Sequence, residues 1–338
     1  MRLLYLLYYL KKLDWKLFLQ FIRFTRKQYK IPYLKLIIDN IFSTFKYNVS
    51  ILEYYQFSFY NKSASERKLW AGTGFMYEYQ LRMNPKNQRH YLEDKRLFLE
   101  KFKDFVKHDW LSLEQFEKNR DKVQTLIKNP SGKLVIKRHD GQCGIGVEVI
   151  QTAGLTYEKL VEKMKKTNNT LVEEYIVQHP DLMALSPSGL NTVRIYTQLN
   201  EHDEVEILGC RLRISINSAV DNLAAGNVAA PIDENTGIVN GPGVYSHIAK
   251  AEEYIHPITK KSIEGFCIPF WHQTIELSKR AALHLKECRS IGWDIAITAD
   301  GPELIEGNHD WCKLVWQLPV KKGLKPLLEK YLTNLSNV

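Results

Sequence analysis

KLVIKRHDGQCGIGVEVI, residues 133–150, sets three glycines between two runs of alternating apolar character. The spacing Gly141-x-x-Gly144-x-Gly146 lacks the Lys-Ser/Thr pair and the following helix of a Walker-type loop. It also misses the G-x-G-x-x-G spacing of a dinucleotide fingerprint. KLVIKR reads as one strand and VEVI as the next, which puts the glycines at the tip of an antiparallel hairpin. Lys137 stands at the end of the first strand, beside that tip. A glycine-rich cover with one lysine suits nucleotide phosphates, because backbone N–H groups approach closely and the ammonium neutralises charge. A plain surface hairpin with a solvated lysine would carry the same residues, so the loop alone leaves both readings open.

Two further stretches bear on the choice. LVEEYIVQHPDL (171–182) reads as a short apolar strand interrupted by two acids, then an extended run reaching Asp181. Backbone groups of such a strand can hold an adenine ring in an apolar slot, with a nearby carboxylate for the ribose hydroxyls. IGWDIAITADGPELIEGNHDW (291–311) reads as strand, turn at Ala299–Pro302, strand. Antiparallel pairing brings Asp294 close to Glu306 and Asn308, and these last two, two residues apart, share a face. Two carboxylates and an amide oxygen form an all-oxygen set suited to Mg²⁺ bridged to phosphates. Solvated strand-end acids are the bland alternative.

The chain of 338 residues has room for two or three packed units. Its 44% apolar and 25% charged residues are those of an ordinary globular protein, and no window approaches the length of a membrane span. The net charge of +9 is unevenly placed. Residues 1–130 carry 25 Lys and Arg against 13 Asp and Glu, whereas the remaining 208 carry 22 against 25. Five cysteines are scattered singly, with no C-x-x-C pair, which excludes a zinc-ribbon pattern and fits a reducing cytosol.

The opening MRLLYLLYYLKKLDWKLFLQFIRFTRKQYK recurs in Leu and Phe at helical spacing, with eight Lys and Arg against the single acid Asp14. Its apolar run breaks at Lys11–Lys12 without a cleavage site, so a secretory signal is not expected. A basic, aromatic-rich segment of this kind can lie in a membrane interface or can pack on the rest of the protein. No recognised nucleic-acid module accompanies the charge, and nucleic acid is not expected as a partner. After Pro85, YLEDKRLFLEKFKDFV reads as one helix, and the N-terminal third is predicted to be mostly helical.

Taken together, these residues resemble the ATP-grasp superfamily over roughly residues 90–320. LNTVRIYT, DNLAAGNVAAPIDENTG and IGWDIAITADGPELIEGNHDW look closest to the sugar-transfer-associated ATP-grasp proteins found with cell-surface polysaccharide genes. The resemblance implies an α+β fold in which two α+β subdomains clamp ATP, behind a mostly helical N-terminal region. The expected division is 1–90 for that region, 91–170 for the subdomain with the glycine flap, and 171–338 for the subdomain with hinge strand and metal site. The departure lies in the first 90 residues, where familiar ATP-grasp ligases carry an α/β domain.

Carried over residue by residue, Lys137 looks like the lysine that contacts the nucleotide phosphates, and Lys95 in EDK like its upstream companion. Gly141, Gly144 and Gly146 resemble the flap. Glu173, Glu174, Tyr175 and Ile176 resemble the hinge that reads adenine, and Asp181 the ribose carboxylate. Asp294, Glu306 and Asn308 resemble the metal-binding trio. Arg194 falls where the superfamily often places an arginine near the transferred phosphate. Arg211 and Arg213 in RLRIS are further candidates, with a solvent-facing role as their alternative.

The implied activity is an ATP- and Mg²⁺-dependent ligation of a carboxylate to an amine through an acyl phosphate. A carboxylated sugar or a lipid-linked precursor is the implied acceptor, in the cytoplasm and at the inner membrane face through residues 1–30. An ATP-grasp-type kinase and a non-catalytic nucleotide-binding scaffold are the alternatives. His139, His179, His247, His256 and His309 are candidate bases, each with a structural role as the competing reading.

Overall fold

The computed structural model of the chain describes residues 9–141 and 146–334. Gly144 and Cys143 lie outside the described residues, as does the start of the basic N-terminal segment.

Two antiparallel sheets organise the chain. The smaller holds β1 (Trp110–Ser112), β2 (Lys133–Lys137), β3 (Glu148–Gln151) and β4 (Leu171–Glu174) in the order β1-β4-β2-β3. The larger holds β5 (Thr192–Leu199), β6 (Val205–Ile214), β7 (Val228–Ile232), β8 (Ser290–Thr298) and β9 (Gly301–Asn308) in the order β7-β6-β5-β8-β9. The expected α+β class therefore holds, and with it the hairpin. β2 and β3 pair antiparallel, Leu134 opposite Ile150 and Ile136 opposite Glu148.

Period-2 alternation assigns the faces of β2. Leu134 and Ile136 enter a core with Val172, Ile150 and the helices Arg120–Ile127 and Tyr157–Thr167. Lys133, Val135 and Lys137 are left for the other side. The larger sheet is covered on both faces, which is why all eight residues of β5 are buried. Val193 and Ile195 face a core with Trp293, Ile295 and the helix Trp271–His284. Tyr196 faces the opposite layer with Tyr79, Trp311 and Trp316.

Two expectations are corrected. The boundary at 170/171 falls inside the smaller sheet, because β4 pairs with both β1 and β2. The helix after Pro85 is two helices, His90–Glu93 and Lys95–Lys101, broken where Asp94 turns extended and caps the second by accepting from Arg96 N at 2.8 Å. The second helix and the turn after it pack Phe98, Leu99, Phe102 and Phe105 on the larger sheet's core.

The N-terminal third is helical as expected, with long helices Trp15–Tyr29 and Tyr33–Tyr47 followed by shorter ones. The first packs Phe21 and Ile22 into a cluster with Tyr54, Tyr55 and Phe57. Among the described residues no helix is long and apolar enough to cross a membrane. Of the described cysteines, Cys210 and Cys288 are buried and none is disulfide-bonded.

Candidate active site

A cleft of about 380 Å³ opens between the two sheets. Its small-sheet wall is the polar face of β2, Lys133, Val135 and Lys137, joined by Val149 of β3. Glu173 through Ile176 line it where the chain crosses from one sheet to the other, and Lys133 Nζ lies 5.0 Å over the Tyr175 ring. Arg213, Asp294 and Glu306 form its large-sheet wall. Basic groups thus face acidic ones across one space, the disposition that a polyphosphate and a divalent cation need.

Lys95 reaches the cleft because the helix breaks at Asp94. Lys95 N donates to His139 O at 3.0 Å, which pins the start of the helix to the glycine loop. Its Nζ donates to Gly141 O. Burial lowers the Lys95 pKa, the Glu306 carboxylate works against that, and the Lys137 charge adds to it. Both lysines and the flap residue Gly141 therefore line the cleft. Gly146, with φ 77°, occupies the left-handed region on the return arm of the loop.

Behind Lys137 lies a buried charged array that no local pattern announces. Lys137 Nζ sits 2.7 Å from Glu173 Oε2, and His108 Nε2 sits 3.6 Å from the same oxygen. His108 Nδ1 lies 2.8 Å from Glu303 Oε2, which also accepts from the backbone N–H groups of Lys107 and His108. Burial works against both ionised forms, but the neighbours win. Lys137 and His108 bring Glu173 down to about 2, and Glu173 with Glu303 raise His108 to about 9. The Glu173 carboxylate thus orients Lys137, while its backbone and the following Glu174, Tyr175 and Ile176 edge the cleft.

The bottom of the cleft is made by the β8–β9 pair. The strands join through Ala299–Asp300, with Gly301 at φ 100°, and the register places Asp294 opposite Glu306 and Gly292 opposite Asn308. A bulge after Asp294 shifts the register there. Asp294 accepts from Arg194 through Nε and, at 2.7 Å, through its terminal nitrogen Nη2, and from Arg213 at 2.8 Å. Burial opposes its ionisation, but these two guanidiniums hold its pKa well below the usual carboxylate range. Glu306 is pushed the other way, by burial and then by the Asp294 charge. Asn308 Nδ2 lies 3.3 Å from Glu306 Oε1 and 3.3 Å from Gly292 O.

This donor set fits a hard divalent cation. Glu306 is a half-buried carboxylate whose charged form is disfavoured as it stands, and a cation held by it and Asp294 would relieve that cost. Among the described residues no three His, Cys, Asp or Glu side chains gather for a metal, and Asn308, 3.3 Å from Glu306, is the neighbouring amide whose oxygen could join the two carboxylates. That requires the amide to turn Oδ1 toward the ion.

Of the three candidate arginines, one lines the cleft. Arg213 lines the cleft, its other nitrogen 2.8 Å from Asp221, which in turn accepts from Thr192 N at 2.9 Å. Arg194 lies beneath Asp294 and does not line the cleft. Arg211 turns away, donating to Trp316 O at 3.1 Å and to Cys210 O at 2.7 Å. Asp181 is also off the cleft. Pro180 starts a six-residue helix, His179 caps it, and the Asp181 side chain is 66% exposed. His108, Asp221 and Thr192 were not foreseen, and the HP dipeptide at 179–180 was the available signal for the short helix.

Two antiparallel sheets, two lysines lining the cleft at the β2–β3 hairpin, and facing carboxylates on the second sheet define the ATP-grasp class. The family model described as sugar-transfer associated ATP-grasp matches residues 75–332, and the chain belongs to that family. No curated protein matches it. Among solved structures it is similar to an ADP complex of purK, N5-carboxyaminoimidazole ribonucleotide synthetase, at TM-score 0.39 and 11% identity over 65% of this chain and 45% of that one. It is similar to the biotin carboxylase domain of Hydrogenobacter thermophilus 2-oxoglutarate carboxylase at 0.40 and 15%, over 69% of this chain and 46% of that one. D-Alanine–D-alanine ligase from Helicobacter pylori stands at 0.44 and 13%, over 72% of this chain and 61% of that one. The chain spans less than half the length of the first two.

Proposed function

We propose that this protein is an ATP- and Mg²⁺-dependent ligase that joins a carboxylate to an amine, acting on a carboxylated sugar or a precursor of a cell-surface polysaccharide. The observation that carries the reading is the single cleft in which Lys95 and Lys137 face Asp294 and Glu306. Family membership supports the ATP chemistry, and the sugar-transfer association of the family supports the substrate class.

The adenine would lie beside Tyr175 and Ile176, with its phosphates directed toward the two lysines. Lys137, held by Glu173, and Lys95, held at the flap, would offset the phosphate charge and align the γ-phosphate. Bound to Asp294, Glu306 and Asn308, Mg²⁺ would supply charge neutralisation at the β- and γ-phosphates. A substrate carboxylate oxygen attacks the γ-phosphorus and ADP leaves. The amine nitrogen then attacks the acyl carbon, phosphate leaves, and the amine gives up a proton. Arg213, in the cleft between Asp221 and Asp294, would stabilise the negative oxygen of both steps, a role for which Arg194 was the first candidate and Arg213 a further one.

The test is a screen of sugar acids with amines for ADP release, followed by mass analysis of the product. ADP release that requires both substrates, with a product short of one water, supports the ligase. A stable phosphorylated product without the amine would assign a kinase instead, and nucleotide binding without turnover under any pairing would favour the scaffold.

A further inference from the structure

The helix Tyr33–Tyr47 is built inside out. Its sequence, YLKLIIDNIFSTFKY, sets Leu34, Ile37, Ile38, Ile41 and Phe42 on one face at the i, i+3, i+4, i+7, i+8 positions. That face meets solvent, Leu34 being 70% exposed, Ile38 59% and Phe42 51%. Turned inward are Leu36 and three small polar residues, Asn40, Ser43 and Thr44. Asn40 Nδ2 donates to Ile51 O at 3.0 Å, and Ser43 Oγ accepts from Arg67 at 3.1 Å. The helix is therefore anchored with its polar side in and its apolar side out. A contiguous apolar surface of this kind marks a docking site.

Charge decides what covers it. Residues 9–47 hold nine Lys and Arg, all exposed, against the two acids Asp14 and Asp39. Asp39 is taken by Arg67 at 2.6 Å. Trp15, Tyr29 and Tyr33 are exposed on the same pair of helices, the residue types that favour a membrane–water interface. At the far end of the stripe, Lys46 Nζ lies 5.0 Å from the Phe42 ring and enters a recess of about 310 Å³ that it shares with Arg67, Lys68 and Lys325. Glu78 is the acid in that lining. A second copy docking face to face would set two such cationic rims against each other. An anionic bilayer complements both features, its acyl region taking the stripe and its headgroup phosphates the rim and the recess.

We propose that the exposed face of the helix Tyr33–Tyr47, with the Lys46–Lys68–Lys325 recess at its end, docks the protein on an anionic lipid bilayer. The contact lies on this helix rather than on Trp15–Tyr29, whose Phe21 and Ile22 are committed to the interior. It is independent of the nucleotide reading.

The test is co-sedimentation of the full chain with vesicles of phosphatidylcholine alone or mixed with phosphatidylglycerol. The protein should pellet with the anionic vesicles, less so as salt rises, and should stay in solution with the neutral ones. Leu34→Ser/Ile38→Ser/Phe42→Ser should weaken binding by about tenfold or more. Lys46→Gln/Lys68→Gln should weaken it by roughly fivefold for each charge removed. Both variants should keep the wild-type thermal shift with ATP, which shows that they fold and separates this result from the fate of the nucleotide site. No pelleting with anionic vesicles, or a triple variant that pellets like wild type, overturns the proposal. So does a wild-type dimer in sedimentation equilibrium that the triple variant dissociates, which would assign the face to self-association.

Discussion

Asp294 and Glu306 stand opposite each other in the β8–β9 register, and the first is bound by two arginines while the second receives a neutral amide. The two carboxylates of one site are thus held in opposite electrostatic states. Asp294 is held in its charged form and fixed in place, whereas the charged form of Glu306 carries a cost that an arriving cation would remove.

Glu306→Gln tests that division. The substitution keeps the volume and deletes the disfavoured charge, so without Mg²⁺ the variant should match or exceed wild type by about 1 kcal/mol at pH 8. The sign follows from the raised pKa. Wild type keeps its full stability below the unfolded carboxylate value and loses some as pH rises through the higher folded value, and the variant should lack that decline. Urea unfolding at pH 5 and pH 8 measures it. Turnover to ADP should fall by roughly 10²–10³-fold.

His108 supplies a second pH signature of opposite cause. Its folded pKa of about 9 exceeds the ordinary histidine value, so its contribution is whole below about pH 6.5 and is lost as pH rises through about 9. His108→Gln should abolish that slope and, by leaving Glu173 and Glu303 short of a cation, destabilise the protein at pH 6.5 by about 2–4 kcal/mol. Lys137 would lose part of its support, so the KM for ATP should rise. A variant with a wild-type pH–stability curve would show that the imidazolium does not hold the array.

The hairpin and the carboxylate strands were legible because their signals are local. Alternation in KLVIK and VEVI, and the turn at Asp300–Gly301, specify pairing within a few residues. What could not be read is what depends on distant partners. His108 takes its role from Glu173 and Glu303, which lie 65 and 195 residues away in sequence. The different placement of Arg194 and Arg213 is of the same kind. Both share a face of the sheet, and only the position of Asp294 between them and of Asp221 beyond decides which reaches the cleft. Asp94 and Pro180 were local signals, a cap and a helix start, and they sat inside stretches whose apolar spacing suggested a simpler element.

Lys95 and Lys137 should separate on mutation. Lys95 bonds to a carbonyl of the flap, whereas Lys137 neutralises a buried carboxylate. Lys95→Met should therefore cost little stability and weaken ATP binding by about tenfold or more, measured by titration calorimetry. Lys137→Met should lose both, with about 3–5 kcal/mol of stability removed as Glu173 is left beside His108 alone. Equal stability in the two variants would contradict the Lys137–Glu173 pairing.

The three strand arginines yield the sharpest contrast. Arg211 donates to backbone carbonyls of Trp316 and Cys210, well away from the cleft, so Arg211→Met should destabilise the protein and leave the KM for ATP unchanged. Arg194→Met should disturb Asp294, lowering stability and metal affinity together, because the carboxylate loses its two-point partner. Arg213→Lys retains a charge between Asp221 and Asp294 but cannot bridge them with a planar fork. Its stability loss should be small, within about 1–2 kcal/mol, while kcat falls by roughly 10²-fold with little change in ATP affinity, because the guanidinium acts on charge that develops during transfer. Kinetics and urea unfolding on all three variants check the ordering. If Arg194→Met lost kcat alone and Arg213→Lys left it intact, the superfamily placement of the transfer arginine on the first of these strands would be restored.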